Sequence, residues 1–590
     1  MGARHRNAEK SLQDQTNILP IGQLLVVFAG LASSLLICFV DQNGIGVALP
    51  TIGRDLHAQD TISWAGTSSL IANTMFTVLY GRLSDIFGRK SVYLCALGLL
   101  CIADLLCGLA QNAPMLYVCR GLAGIAGGGI TSLTMIIVSD VVTLEDRGKY
   151  QGILGACVGT GNVIGPFIAA AFVQHSTWRG IFYLICPLAA ISGVIAWFLL
   201  PSTMRRDSIK KNVNKIDFYG VITASIGIIF LLIPISGGGL YFNWDSPMVI
   251  SMLVIGGCSL LLFLFVEWKV ATLPMLPMSF FRDPVISTLF IQSFFLGAGY
   301  QSYIYYLPLY FQNARGWTAI QSATMTLPMV LFQSIASILS GQYIARAKRY
   351  GEVIWAGFFL WTLGAGLALL FDGTTSKGTI VGIMIIVGVG IGFTFQPTLV
   401  ALQAHCTLSK RAVVISDRNF FRCGGGACGL AVSAAILQAV LKANLPPEYR
   451  YLAHSTYAIP ARSSVSAADW DGIVNAYLRA SHAVFILQVP LVGICLLGCL
   501  FVRDRGLERP KEKDEEVPEN KTEAKAESAA AEADTEVAAA DSVPAIADQA
   551  QNLEKQIDAG QAPVEAEAGT ETETATNETE SREHEKGTEK

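Results

Sequence analysis

Charged residues are scarce in this sequence. Only 15% of its 590 residues are Asp, Glu, Lys or Arg, against about 25% in an average soluble protein. Residues 511–590 alone carry 8 basic and 23 acidic side chains, so residues 1–510 keep 34 basic and 23 acidic ones. So few charges do not solvate a globular surface of that size. This composition argues against a soluble enzyme, a nucleic-acid binder or a secreted disulfide-rich scaffold.

Motifs of soluble-protein chemistry are also missing. The 13 cysteines show no CxxC spacing, so neither a zinc site nor a disulfide framework is predicted. The sequence has no G-x-x-x-x-G-K-[ST] phosphate-binding loop, which disfavours an ATP-driven pump. Its 7 histidines form no metal-ligand or Ser/His/Asp pattern. We therefore expect no enzyme activity, no cofactor, no metal and no nucleic-acid partner.

Long apolar stretches are abundant instead. A membrane-spanning helix needs about 20 predominantly apolar residues. The sequence predicts an all-α integral membrane protein with fourteen transmembrane helices, at residues 24–48, 62–80, 91–110, 115–138, 150–173, 180–200, 217–236, 247–266, 285–310, 319–341, 353–371, 378–400, 412–441 and 479–502.

The distribution of basic residues predicts how these helices cross the membrane. Loops on the side of the N-terminus carry seventeen Lys and Arg residues, and the opposite loops carry seven. Because basic loops stay in the cytosol, both termini are predicted to be cytosolic. We expect a cytosolic N-terminal tail at residues 1–22. Residues 506–590 are rich in Ala, Glu and Thr and almost free of aromatics, which predicts a disordered acidic tail.

Two motifs carry a resemblance to a known family. Residues 81–90 read Gly81-Arg82-Leu83-Ser84-Asp85-Ile86-Phe87-Gly88-Arg89-Lys90, which matches the G-x-L-[AS]-D-x-x-G-R-[KR] signature of the major facilitator superfamily. The fifth apolar run holds Gly155, Gly159, Gly165 and Pro166, which resemble the antiporter motif of that helix. Over residues 20–505 the sequence resembles the fungal-type, fourteen-span drug–proton antiporters of this superfamily.

The resemblance implies a domain organisation. It consists of an N-terminal six-helix bundle at residues 23–200, a cytosolic linker with an inserted helix pair at 201–266, and a C-terminal six-helix bundle at 267–505. The two bundles are expected to alternate access to a central cavity. A loop at residues 341–349 resembles a degenerate copy of the motif at 81–90, which is consistent with the internal repeats of such transporters.

The resemblance also implies a function. We expect a monomeric antiporter that uses protons to export amphipathic small molecules such as drugs, toxins or secondary metabolites. The plasma membrane is the expected location, and the vacuolar membrane is the alternative. A carrier of the same fold for uptake or vacuolar storage of basic amino acids or siderophores remains open. So does a non-transporting membrane sensor or scaffold that signals through the acidic tail.

Charged residues inside the membrane are candidates for proton coupling, because they are costly to keep there. Asp41 lies about 10 Å deep and Arg120 about 8 Å deep from the same membrane surface, at about 1.5 Å per residue. We predict that they form the coupling site, with a fixed structural ion pair as the alternative. Asn43 is grouped with them in the cavity, and Asp104 is either a second coupling residue or a structural one.

The motif at residues 81–90 predicts a conformational switch. Asp85 and Arg89 are expected to latch helix ends, with Arg89 pairing with Asp140. Gly81 and Gly88 permit close approach and a tight turn. Lys90 completes the basic cluster of the motif. The alternative is that these basic residues serve only to keep the loop in the cytosol.

Candidate substrate-lining residues lie in the second half of the chain. Tyr300, Gln301 and Tyr303 are suited to stack on a planar apolar substrate and to hydrogen-bond with it, unless they belong to an aromatic belt at the membrane surface. Arg418 and Arg422, four residues apart on one helix face, either orient an anionic group or hold the cytosolic gate. Interfacial anchoring is their third possible role.

Overall fold

The computed structural model describes residues 17–59, 61–200, 216–238, 242–454 and 465–507. Three predicted segments lie wholly or mostly outside these ranges. They are the N-terminal tail up to residue 16, the linker at 201–215 and the acidic tail from residue 508.

Fourteen helices of 17 residues or more run through the described part of the chain. We number them in order: α1 Ile21–Asp55, α2 Trp64–Phe87, α3 Arg89–Gly108, α4 Ala113–Val141, α5 Arg147–His175, α6 Arg179–Leu199, α7 Phe218–Gly237, α8 Pro247–Lys269, α9 Pro284–Leu309, α10 Ala319–Ala347, α11 Gly351–Leu367, α12 Lys377–His405, α13 Arg411–Asn444 and α14 Ala467–Gly498.

Twelve of these helices are long and apolar enough to cross a membrane. The two exceptions are α2 and α9, whose longest apolar stretches are interrupted by polar side chains, among them Asn73 in α2 and Gln292 in α9. The chain is therefore a multi-pass membrane protein. Its predicted total of fourteen spans stays a prediction for α2 and α9.

The helix packing repeats itself along the chain. In the first half, α1 packs on α5, α2 on α4, α3 on α4 and α3 on α6. In the second half the same four pairings recur eight helices later, between α9 and α13, α10 and α12, α11 and α12, and α11 and α14. We call α1–α6 the N-half and α9–α14 the C-half. Because the same four pairings recur, the two halves share one architecture, and α7 and α8 are inserted between them.

The two halves meet through two symmetry-related helix pairs, α5 with α10 and α2 with α13. Helices α7 and α8 pack on each other, and α7 also contacts α2 and α13. The segment that follows α8 is tied to the N-half, because Arg82 Nε donates to the carbonyl of Pro274 at 2.7 Å. These contacts place the inserted pair beside the α2–α13 seam.

Candidate transport site and gate

Three charged residues meet inside the N-half. Arg120 Nη1 of α4 lies 2.6 Å from Asp41 Oδ1 of α1 and 3.6 Å from Asp104 Oδ1 of α3. All three side chains are buried, with at most 3% of each exposed. The Phe182 ring of α6 lies 5.8 Å from the Arg120 guanidinium carbon. We call this group the charge triad. It contains two carboxylates and one cation.

A chain of polar side chains crosses the centre of the molecule between the halves. Asn43 Nδ2 of α1 donates to Asn162 Oδ1 of α5 at 2.7 Å, and Asn162 Nδ2 donates to the Tyr300 hydroxyl of α9. Gln333 of α10 also donates to that hydroxyl, at 3.4 Å. The Tyr300 ring packs edge-on against Phe395 of α12, with 5.3 Å between centroids. This chain of hydrogen bonds therefore links the N-half to the C-half.

Two arginines of α13 border this centre. The Arg418 and Arg422 guanidinium carbons lie 5.2 and 5.4 Å from the Phe395 ring. Arg418 is fully buried and donates to the Phe395 carbonyl and to Asn419 Oδ1. Neither arginine has a carboxylate within 4 Å among the described residues, and the Nε of each has no hydrogen-bond partner there. Full burial does not fit interfacial anchoring of Arg418.

The other two candidate substrate-lining residues of α9, Gln301 and Tyr303, pack inside the C-half. Tyr303 is 1% exposed, and within the described part of the chain its hydroxyl has no hydrogen-bond partner. Gln301 lies beside Gly426 of α13, where an added Cβ would sit 3.5 Å from the glutamine Cβ. Of the three predicted residues on α9, Tyr300 is the one whose contact with the N-half is described.

The motif at residues 81–90 is almost entirely helical, although its sequence predicts a loop. Helix α2 continues to Phe87 and α3 begins at Arg89. Gly88 alone separates them, with a φ of 87° that side chains rarely adopt. Arg89 reaches back to Asp85 at 2.6 Å, which holds the two helix ends together. We call this end of the molecule the switch side.

Asp140, at the end of α4, joins the halves on the switch side. Its carboxylate accepts from Arg89 Nε at 2.8 Å and from Arg411 Nη2, at the start of α13. Arg89 and Arg411 belong to different halves, and Asp140 is 2% exposed. One buried carboxylate therefore bridges an arginine of each half. Lys90 turns away to the carbonyl of Leu200 at 2.9 Å.

A second bridge on the switch side is the repeat-related counterpart of the first. Arg147 opens α5 as Arg411 opens α13, and its Nη1 donates to Gln403 of α12 at 3.4 Å. Lys348 and Glu145 add an exposed ion pair of 2.7 Å between the halves. Sequence reasoning missed Arg147 and Arg411 as residues that bridge the two halves. Their shared position at the start of corresponding helices is the signal that identifies them.

Close glycine contacts complete the seam between the halves. An added Cβ at Gly159 would lie 2.5 Å from Ser334 Oγ of α10, and one at Gly155 would lie 2.8 Å from Gln396 of α12. Gly165 faces α1 instead, where an added Cβ would lie 2.7 Å from the Val40 carbonyl. Pro166 follows it within the same helix. The glycines of the antiporter-like motif therefore allow α5 to approach both its own half and the opposite one.

Gly341 provides a direct test of this seam. A Cβ there would collide with the carbonyl oxygen of Gly148 on α5, so Gly341→Ala is expected to keep the switch side from closing fully. Double electron–electron resonance between non-canonical spin-label residues at positions 149 and 347 should show longer distances than in the parent protein. Gly366→Ala is the matched control, because an added Cβ there meets nothing within 4 Å. Equal distances in both variants would contradict the assignment.

Comparisons with known proteins agree with this architecture. The family model described as Major Facilitator Superfamily matches residues 31–218 and 215–430. Citrate exporter 1 of Yarrowia lipolytica is 46% identical over 529 residues, which cover 89% of this chain and 78% of the relative. Efflux pump dotC of Dothistroma septosporum is 32% identical over 423 residues, covering 72% of this chain and 73% of the pump.

Solved structures agree on the fold. The human organic anion transporter MFSD10 superposes with a TM-score of 0.55 over 82% of this chain and 100% of its own, at 13% sequence identity. The two six-helix halves and the match to the family model together show that this chain belongs to the Major Facilitator Superfamily, a family of secondary transporters of small molecules.

Proposed function

We propose that this protein exports a small organic anion of the polycarboxylate class, in exchange for protons, by alternating access. The observation that carries the proposal is the pair Arg418 and Arg422, two guanidinium groups beside the Phe395 ring that have no carboxylate within 4 Å among the described residues. Burying a charge without a counter-charge costs several kcal/mol. A bound anion would supply that counter-charge during transport.

The neighbours of the two arginines suit a carboxylate substrate. Planar guanidinium groups bind carboxylates through paired hydrogen bonds, and the unpartnered Nε atoms of Arg418 and Arg422 remain to donate such bonds. Asn162 and Gln333 contribute amide groups beside Tyr300. The 46% identity to a relative named Citrate exporter 1 supports the same substrate class and the outward direction.

This site argues against the other cargoes that the sequence leaves open. Basic amino acids are cationic, and two uncompensated guanidiniums would repel them. An amphipathic toxin would leave both arginines without a counter-charge, although the 32% identity to efflux pump dotC keeps toxin export as the second candidate. We assign both termini and the switch side to the cytosol, and the protein to the plasma membrane, as the positive-inside pattern and an exporter's task suggest.

The charge triad is the proposed site of proton coupling. Its two carboxylates and one guanidinium sum to a net charge of −1, and one proton neutralises them. The bridges at Asp140 and Gln403 join the halves on the switch side, so we infer that this side is closed here and that the substrate site exchanges with the opposite side of the membrane. Breaking and reforming these bridges would alternate access.

Exchange in proteoliposomes tests the substrate class. Purified protein is reconstituted with unlabelled citrate inside, and entry of radiolabelled citrate is followed without a gradient. Unlabelled tricarboxylates and dicarboxylates are expected to compete best, monocarboxylates weakly, and lysine or a neutral hydrophobic toxin not at all. Absence of citrate exchange from vesicles that do exchange a radiolabelled toxin would reject the anion proposal in favour of toxin export.

A further inference from the structure

Asp104 has no conventional partner for a buried ionised carboxylate. It is fully buried in α3, and neither of its oxygens has a hydrogen-bond partner among the described residues. Its contact with Arg120 is 3.6 Å, whereas Asp41 lies 2.6 Å from the same nitrogen atom. Asp41 is thus the close counter-ion of Arg120, and Asp104 is the carboxylate without a close counter-ion.

Within the described part of the chain, the surroundings of Asp104 supply no second cation. Its ionisable neighbours, besides Asp41 and Arg120, are thiols: Cys38 of α1, Cys107 of α3 itself and Cys186 of α6. Thiols in apolar surroundings stay protonated and neutral. An ionised Asp104 would therefore leave one uncompensated negative charge in the membrane, which is strongly unfavourable.

We propose that Asp104 is the group that takes up the transported proton, while Asp41 stays ionised against Arg120. In this step the Asp104 carboxylate binds one proton and becomes a neutral carboxyl group, and the triad changes from a net charge of −1 to zero. Asp41, which contacts the same Arg120 nitrogen atom, is the neighbouring carboxylate that can accept a hydrogen bond from that carboxyl group. The inference rests on the proton coupling in the proposed function and assigns it to one residue.

The assignment gives α3 a part in transport. Release of the proton would give Arg120 a second ionised carboxylate, so the guanidinium would be drawn between Asp41 on α1 and Asp104 on α3. Helix α1 also carries Asn43, which bonds to Asn162 at the central chain. A shift of α1 on protonation would therefore reach the site where the substrate is proposed to bind.

Asp104→Asn tests the assignment, because it mimics the protonated residue permanently. Citrate accumulation is measured in proteoliposomes whose interior is one pH unit more acidic than the outside, with the membrane potential clamped by potassium and valinomycin. One pH unit drives about tenfold accumulation for each coupled proton. The variant is expected to show no accumulation beyond equilibration while it still exchanges citrate. Full accumulation in Asp104→Asn would overturn the proposal.

Two further variants separate proton binding from structure. Asp55→Asn makes the same chemical change at an exposed carboxylate of α1 that pairs with Arg179 at 2.9 Å, and it is expected to accumulate citrate normally. Asp104→Glu keeps a titratable group, so accumulation should persist with a shifted pH profile. If Asp104→Asn does not fold, a shifted pH profile of accumulation in Asp104→Glu supports the proposal, and a pH profile like that of the parent protein contradicts it.

Infrared spectroscopy tests the protonation of Asp104 independently of transport. The parent protein should show the carbonyl absorption of a protonated carboxyl group at neutral pH that is missing in Asp104→Asn and kept in Asp55→Asn. An identical band in all three would reject the assignment. If the parent protein exchanges citrate but ignores the pH gradient, the proposed coupling fails, and the infrared result still decides whether Asp104 holds a proton.

Discussion

Replacing Arg418 with glutamine is expected to raise the citrate concentration for half-maximal exchange by about 10- to 100-fold. A hydrogen bond to a charged group contributes about 1.5–3 kcal/mol, and each 1.4 kcal/mol is a factor of ten in affinity. The loss is expected to be this large because Arg418 is fully buried beside Phe395. Water does not readily replace a guanidinium there. Initial rates of radiolabelled citrate exchange over a range of concentrations measure the effect.

Two further variants test whether a loss of citrate affinity in Arg418→Gln is due to the removal of this guanidinium group. Arg418→Lys keeps the positive charge but removes the planar guanidinium group. Its citrate concentration for half-maximal exchange should therefore lie between those of the parent protein and Arg418→Gln. Arg479→Gln makes the same change at an exposed arginine of α14 that bonds to Asn444, and it should leave exchange unchanged. An Arg418→Gln protein with the parent's half-maximal concentration would remove Arg418 from the substrate site.

The second large effect is expected at the gate. Asp140→Asn removes the carboxylate that holds Arg89 and Arg411 together. Breaking a buried ion pair by removing one partner costs about 3–5 kcal/mol. The population of the conformation with a closed switch side should therefore fall more than about a hundredfold relative to the open conformation. We expect longer spin-label distances between positions 149 and 347, together with a slow transport cycle, because reclosing becomes rate-limiting.

Asp146→Asn is the matched control for the gate. Asp146 is exposed at the junction of α4 and α5, and its side chain accepts from the Thr143 hydroxyl at 3.1 Å. The change should leave both the distances and the transport rate as in the parent protein. If Asp140→Asn gave the same distance distribution as Asp146→Asn, the carboxylate would not be the closing element.

The sequence was most informative where chemistry depends on residue type and local spacing. Apolar runs predicted an all-α membrane protein, and the motif at residues 81–90 indicated the superfamily. The match to the family model confirms the superfamily. The motif's loop assignment was wrong because hydropathy falls after Tyr80, whereas the helical hydrogen bonding of α2 continues to Phe87. Helix ends that project from the membrane are polar, so hydropathy cannot find them.

Contacts between distant segments were harder to predict. Depth along two helices suggested the Asp41 and Arg120 relation, but it did not show that Asp104 faces the same guanidinium. Arg411 and Gln403 stand at ordinary helix ends, so composition gave no reason to select them. Their partners Asp140 and Arg147 lie more than 250 positions away in the chain. Comparing the starts of repeat-related helices would have revealed both arginines.

Proton-driven accumulation of citrate by the unaltered protein tests the central claim most directly. Proteoliposomes with an interior one pH unit more acidic than the outside, at clamped membrane potential, should concentrate radiolabelled citrate about tenfold for each coupled proton. Collapsing the pH gradient with a protonophore should release the excess. Citrate that only equilibrates, with or without the gradient, would contradict proton-coupled transport, and vesicles that never exchange citrate would contradict the proposed substrate class.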